Sequence, residues 1–186
     1  ISALSYAQNS PRFKKYWPAD VHCIGKDIQK FHCLIWPGML FSLGLPLPKT
    51  IFVHGYITVA GQKMSKSLGN VIDPFELVKK YGTDAVRYFL LREIPSTEDG
   101  DFTYEKFELR YNSDLAKGLG NLVARVITLA STNNLRPKPS LGRTKLGLAI
   151  GKAKRKQKEA LDGFKFNEAL VAVWELISFC DKYIEK

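Results

Sequence analysis

Between residues 20 and 59 two β-branched, apolar runs flank a helix-like stretch, and that order leaves few folds open. Asp20-Val21-His22-Cys23-Ile24 reads as a short strand, Gly25 as a turn, and residues 27–43 as a helix ended by Gly44. Leu45-Pro46-Leu47-Pro48 then turns the chain into residues 51–59, which predict a second strand closed by Ala60-Gly61-Gln62. Strand, helix, strand is a βαβ unit, so the two strands are expected side by side and parallel in an open α/β sheet. Asp27 and Phe31 are four apart, as are Ile28 and His32, which places them on adjoining parts of one face at the helix start. Pro37 is expected to kink that helix.

A cationic loop follows. Lys63-Met64-Ser65-Lys66-Ser67 sets two ammonium groups and two hydroxyls in one short stretch after the expected strand. In open α/β sheets ligands sit outside the carboxyl ends of strands, so a loop hung there would meet a bound anion. Lysines suit a polyphosphate whose charge grows as a bond breaks, because they favour the transition state over the ground state. Out of context, a K-x-x-K pair is an ordinary solvated loop.

Downstream the pattern turns helical. Asp73-Pro74 opens a helix through Lys80 that Gly82 ends, and Thr83 is expected to cap another over residues 84–92. Leu77, Val78, Tyr81, Val86, Phe89 and Leu90 give these helices an apolar face. Glu98, Asp99 and Asp101 cluster in a polar connector, but without calcium-loop spacing they make no metal site. Thr103 reads as the N-cap of a short helix to Arg110. A long helix from about Asn112 to Thr132 follows, with Leu115, Leu119, Leu122, Val123, Val126, Ile127 and Ala130 as its expected core stripe. Lys117, Asn121 and Arg125 recur every four residues on another face, where a wet helix side is the ordinary reading. Residues 135–140 read as a linker. Helices over about 145–161 and 167–186 complete the chain, the last with Leu170, Val173, Trp174, Ile177 and Ile184 on one face.

The 186 residues, 45% of them hydrophobic, suffice for one large or two small domains with a sizeable core. No apolar run reaches the ~18 residues that span a bilayer, and Ile1-Ser2-Ala3 does not read as a charged signal leader. The first residue is Ile1, so the sequence is expected to begin in mid-protein. Cys23, Cys33 and Cys180 are odd in number and lack C-x-x-C spacing. They are expected to be buried or half-buried thiols, without zinc or disulfides, in a reducing compartment. Net charge is +10, and the stretch from Arg136 to Lys158 holds nine Lys/Arg and no Asp/Glu. A polyanion would be drawn there with strong salt dependence; a solvated helix face and basic linker explain the run equally well.

Residues 63–67 reproduce the K-M-S-K-S signature of class I aminoacyl-tRNA synthetases. Trp17-Pro18-Ala19-Asp20, Gly25-Lys26-Asp27-Ile28, Phe31-His32, Val53-His54-Gly55, Ser67-Leu68-Gly69-Asn70-Val71-Ile72-Asp73-Pro74 and Asn121-Leu122-Val123-Ala124-Arg125 extend the likeness. Together they resemble the methionyl-tRNA synthetases over nearly the whole chain. The resemblance implies α/β plus all-α architecture: the second half of a Rossmann-type parallel sheet in residues 1–60, the signature loop and stem-contact helices in 61–111, and a truncated anticodon-binding helix bundle in 112–186. It implies that Ile28, Phe31 and His32 border methionine, whose polarizable thioether suits such walls. Gly25, Asp27, Gly55, Ile57, Met64, Ser65 and Lys66 would bind ATP, and Lys63 and Lys66 would stabilise the departing pyrophosphate. Asn121 and Arg125 would read anticodon bases.

The implied ligands are ATP with Mg2+, methionine and tRNA(Met), with no zinc ligand, no membrane, and a bacterial-type cytoplasmic location, the mitochondrial matrix second. Trp174 is expected in the core, because the family's anticodon-stacking tryptophan falls beyond Lys186. No H-I-G-H stretch occurs, so these residues alone are expected to be inactive, as part of a longer methionine-tRNA ligase. Two other readings stay open: a sister class I enzyme for leucine, isoleucine, valine or cysteine, and a non-catalytic tRNA-binding module.

Overall fold

The structure, a computed structural model, describes residues 10–134 and 144–185. The expected linker at 135–140, with Arg136 and Lys138, lies outside them, as do Arg143 and Lys186. The chain divides into two units, Ile1–Tyr56 and Ile57–Lys186.

In the first unit α1 (Pro11–Tyr16) starts at Ser10, whose Oγ accepts the Phe13 amide at 3.2 Å. Strands β1 (Val21–Gly25) and β2 (Thr50–His54) pair in parallel, from Val21 opposite Thr50 to Gly25 opposite His54. The connection between them is not the regular helix expected. A 3-10 turn (Lys26–Ile28) and a wide π turn (Phe31–Ile35) precede α2 (Trp36–Ser42). Pro37 falls in the first turn of α2, directly after the π turn, where the helical winding changes. Gly44 ends α2 at φ +63°, and the Gly44 and Leu45 amides return to the Phe41 and Leu40 carbonyls at 3.0 and 2.9 Å. Trp17, Ile24 and Leu40 form the buried interior, with Trp17 Nε1 donating to the Pro46 carbonyl at 3.1 Å. Cys23 is exposed, against expectation, because its place on the short β1 leaves it outside that interior; Cys33 and Cys180 are half-buried.

Residues 51–59 are not one strand. β2 stops at His54, and β3 (Ile57–Val59) belongs to the second unit, between antiparallel β4 (Gln62–Lys63) and parallel β5 (Gly100–Phe102). The cationic loop therefore leaves a β3–β4 hairpin and not the carboxyl end of a strand of the β1–β2 sheet. Gly55 is where the run gives way, since a glycine adds no side chain to hold a strand together.

The rest of the second unit is helical. Asp73 Oδ1 accepts the Phe75 amide at 2.8 Å and Pro74 occupies the first turn of α3 (Pro74–Tyr81). Gly82, at φ +85°, both ends α3 and serves as N-cap of α4 (Thr83–Glu93), so Thr83 lies inside the helix and does not cap it. Leu77, Ala85, Val86, Phe89, Phe102 and Phe107 make the buried core. Thr103 Oγ1 accepts the Lys106 amide at 3.2 Å and starts α5 (Tyr104–Arg110).

No break follows Arg110. α5 continues into a π-wound stretch (Tyr111–Gly120) and then α6 (Asn121–Thr132). Gly118 and Gly120 fit that winding, because a Cβ at either would stand 3.2 or 3.1 Å from the Ser113 or Leu115 carbonyl oxygen. Asp114 anchors it: its Oδ2 accepts the Tyr88 hydroxyl at 2.7 Å and lies 3.5 Å from Arg110 Nη1 and 3.8 Å from Arg92 Nε. Burial, then the Asp114 carboxylate, push the Tyr88 phenol well above its ordinary value.

α7 (Lys145–Asp162) and α8 (Phe166–Ile184) pack on each other and bury Ala160, Ala169 and Ala172. Trp174 is half-buried, its ring 4.6 Å from that of Tyr88. The expected core stripe of α6 is corrected here. Leu122 is buried and Leu115 packs on the core, but Leu119, Val123, Val126 and Ile127 are exposed, Ile127 to 59%. Among the described residues α6 packs on α8, and these four side chains stay exposed outside that contact. Among the same residues no helix is long and apolar enough to cross a membrane.

Candidate functional site

At the end of β1 a side chain has no room. A Cβ on Gly25 would stand 2.6 Å from Asp27 Oδ1 and 3.6 Å from His54 Cε1, so glycine lets the Asp27 carboxylate fold back against the strand end. Lys26 Nζ lies 4.4 Å from the centre of the Tyr56 ring, a cation–π contact. The next turns carry Ile28 and Phe31, exposed to 42% and 61%. His32 is half-buried, with Nδ1 3.1 Å from the Ile28 carbonyl oxygen; that acceptor places the hydrogen on Nδ1 and leaves Nε2 for a ligand. Its ring meets His22 edge-on at 6.3 Å, and burial, then the neighbouring His32, hold the His22 pKa below its ordinary value. Gly25, Asp27, Ile28, Phe31 and His32 thus gather at one strand end, with Gly55 directly after the His54 that pairs with Gly25.

In the second unit Ala60 (φ +50°) and Gly61 (φ +74°) form the two-residue turn between β3 and β4, a left-handed geometry that suits a tight hairpin. Asp101 on β5 fastens it. Its Oδ1 accepts the Gly61 amide at 2.7 Å and the Thr58 hydroxyl at 2.9 Å, and its Oδ2 takes Lys106 Nζ at 3.2 Å. Of the acidic cluster, then, Asp101 is a clamp on the turn that leads to the cationic loop. The Gly61 amide, ahead of the Thr58 hydroxyl and Lys106, holds its carboxyl below the usual range. A depressed value means that the stabilisation is complete above the unfolded carboxylate's ~3.9 and disappears as pH falls through the lower folded value. Asp101→Ala is expected to cost about 1 kcal/mol at pH 6, given the exposure of these groups. Its thermal midpoint, followed from pH 6 into strong acid, should fall less steeply than the parent's.

The loop beyond is cross-braced by a residue outside the five-residue signature. Asn70 Oδ1 accepts the Ser65 amide at 2.8 Å, and Asn70 Nδ2 donates to the Lys63 carbonyl at 3.2 Å. The Leu68 and Gly69 amides return to the Ser65 and Lys66 carbonyls at 3.2 and 3.3 Å, and the Ser65 and Ser67 hydroxyls lie 2.7 Å apart. Met64 is half-buried and lines an apolar cavity with Ile57, while Lys63 and Lys66 are exposed. Sequence reasoning missed Asn70 and Asp101 because both act through contacts that no local pattern announces. Asn70→Ala is expected to lower activity assigned to this loop about tenfold, the effect of ~1.4 kcal/mol on a barrier. Steady-state kinetics of the full-length protein checks it.

On α6 Asn121 is exposed, and Arg125 one turn on is held by α8 and the residue that follows it: its Nη1 lies 2.6 Å from Asp181 Oδ1 and 3.5 Å from Glu185 Oε1. In the basic run of α7, Lys156 pairs with Glu175 and Lys158 with Asp162, each at 2.6 Å. Among the described residues no three of His, Cys, Asp and Glu converge on a metal-sized site.

Residues 1–127 match the family model described as tRNA synthetases class I (M). A methionine-tRNA ligase of Caldanaerobacter subterraneus subsp. tengcongensis is 50% identical over the whole of this chain. The chain belongs to the class I methionyl-tRNA synthetase family. A second methionine-tRNA ligase of that family, from Thermotoga maritima, is 47% identical over 98% of the chain. The chain spans 30% of the length of each of these relatives. A Mycobacterium tuberculosis methionyl-tRNA synthetase bound by methionyl-adenylate has a TM-score of 0.85 at 38% identity, over 96% of this chain and 36% of that one. The apo form of the Mycobacterium tuberculosis methionyl-tRNA synthetase matches with a TM-score of 0.83 at 34% identity, over 99% and 36%. α7 and α8 lie beyond the residues matched by the family model, yet the ligase from Caldanaerobacter aligns across them.

Proposed function

We propose that the full-length protein carrying this chain activates methionine with ATP and transfers the methionyl group to the terminal ribose of tRNA(Met), in the cytoplasm. One observation supports this most: a K-M-S-K-S loop braced by Asn70 with Lys63 and Lys66 outward, in a family member that resembles a relative bound by methionyl-adenylate. In the first step the methionine carboxylate attacks the α-phosphorus of ATP. A carboxyl–phosphate bond forms, the bond to the β-phosphate oxygen breaks, and pyrophosphate leaves with the electron pair. Lys63 and Lys66 neutralise the charge that grows on it, and Met64 and Ser65 sit between them in the same loop. ATP enters as its Mg2+ complex, so the ion comes with the substrate and no resident metal is required.

Asp27, freed by Gly25 to lie at the strand end, accepts hydrogen bonds from ribose hydroxyls or the methionine ammonium, and Gly55 gives adenine close approach to the backbone. Ile57 would meet adenine through its backbone, its side chain being turned to the cavity. Ile28, Phe31 and His32 wall the thioether. On the RNA side Asn121 and Arg125 read anticodon bases, with Asp181 and Glu185 orienting the guanidinium.

The test is amino-acid-dependent ATP–pyrophosphate exchange by the full-length protein, with methionine beside leucine, isoleucine, valine and cysteine. Exchange with methionine alone is the expected result; exchange led by another amino acid favours a sister enzyme, and none at all a binding module. In filter binding, Asn121→Ala should weaken tRNA bearing the methionine anticodon about tenfold and leave an altered anticodon unaffected.

A further inference from the structure

We infer that the apolar cavity beneath the signature loop is a binding site for a neutral, single-ring or short-chain apolar molecule whose presence holds the loop in place. The cavity measures about 240 Å³ and lies wholly within the second unit. Nine residues line it, and none has a charged or hydrogen-bonding side chain. Ile57 reaches it from β3, Val86, Phe89 and Leu90 from α4, Ile72 from the stretch before α3, and Met64 from the loop itself.

Size and lining decide what fits. An apolar void of about 150 Å³ stays dry and admits benzene or xenon. Pockets for drug-sized ligands begin near ~300 Å³ and carry a few placed polar groups. This cavity falls between the two, is partly open to solvent, and offers no polar side chain, so a nucleotide or a zwitterionic amino acid seated in it would gain no partner for its charges. A toluene-sized ring would not.

Met64 connects the cavity to the loop. It is the one lining residue that belongs to the five-residue signature, directly after Lys63 and two before Lys66. Its unbranched thioether changes rotamer readily when it has room. The polar braces on this stretch come from Asn70 and from one turn of backbone bonds, and neither fixes the Met64 side chain. A molecule in the cavity occupies the space Met64 would move through, and so restrains the lysines on either side. That consequence rests on the proposed function; binding itself does not.

The test uses full-length protein with [methyl-13C]methionine, titrated with toluene and with phenol as the polar match, the Met64 signal being identified by Met64→Leu. Toluene is expected to shift the Met64 methyl to saturation, with phenol weaker by about fivefold. Leu90→Phe, which fills the cavity, should weaken toluene by about tenfold, and Val86→Ile, a gentler filling should the first fail to fold, by about threefold. Pyrophosphate exchange should fall about threefold in toluene-saturated parent and stay level in the filled variant. No saturable shift, or an equal shift in both filled variants, would overturn the site. A saturating shift with unchanged exchange would overturn control of the loop. If the protein showed no exchange at all, the methyl titration would still decide the site.

Discussion

Lys66→Ala in the full-length protein is expected to slow methionine-dependent ATP–pyrophosphate exchange by about 10²–10³-fold, equivalent to ~2.7–4 kcal/mol of barrier. The loss should appear in kcat, with KM for methionine nearly unchanged, because an ammonium that meets charge only as pyrophosphate departs contributes to the transition state and not to methionine binding. Lys66 is exposed in the turn closed by the Leu68 amide on the Ser65 carbonyl and the Gly69 amide on its own, and among the described residues no carboxylate is paired with it. Lys63, at the end of β4, is expected to have a smaller effect of the same kind. An unchanged exchange rate in Lys66→Ala would remove the assigned role, whatever became of the family.

Phe107→Ala should produce the largest loss of stability. Phe107 is 1% exposed and its ring lies 4.7 Å from Tyr81, 5.2 Å from Phe89 and 6.2 Å from Phe102. Truncating a buried phenylalanine costs about 3–5 kcal/mol, from lost transfer energy and from the void left among rings too rigid to close it. A drop of that size takes a large share of a typical domain's stability and lowers the thermal midpoint by on the order of 10–20 °C. Phe107→Leu, which refills much of the space, should recover over half. Calorimetry of the two variants beside the parent checks both values.

The parts of this chain that its sequence displays are those governed by neighbours in sequence. Asp73 and Pro74 start a helix because a carboxylate can accept the amide two residues on and proline needs no N–H there. Gly44 and Gly82 stop helices because both sit at positive φ. The parallel pairing of β1 and β2 follows from the order of apolar runs alone. What lay hidden depends on partners far along the chain. The run from 51 to 59 is rich in β-branched and aromatic residues on both sides of Gly55, and a lone glycine does not show that its first half pairs with β1 and its second with β5. Leu119, Val123, Val126 and Ile127 have the spacing of a core stripe, but burial needs an opposing surface and periodicity cannot supply one. Asp101 looked like one acid among three until Gly61, forty residues earlier, met it.

The wide winding at Tyr111–Gly120 bears on which deletions this chain can absorb. A π turn holds one more residue per hydrogen-bonded ring than an α turn does. Deleting a residue from this stretch can therefore be absorbed by tightening the coil, provided Asp114 keeps Tyr88 and Arg110. The same deletion within α6 would swing every later side chain by about 100° around the axis. Tolerance to indels in this part of the molecule should concentrate in those ten positions, and the phase between Phe107 and Arg125 is what they protect.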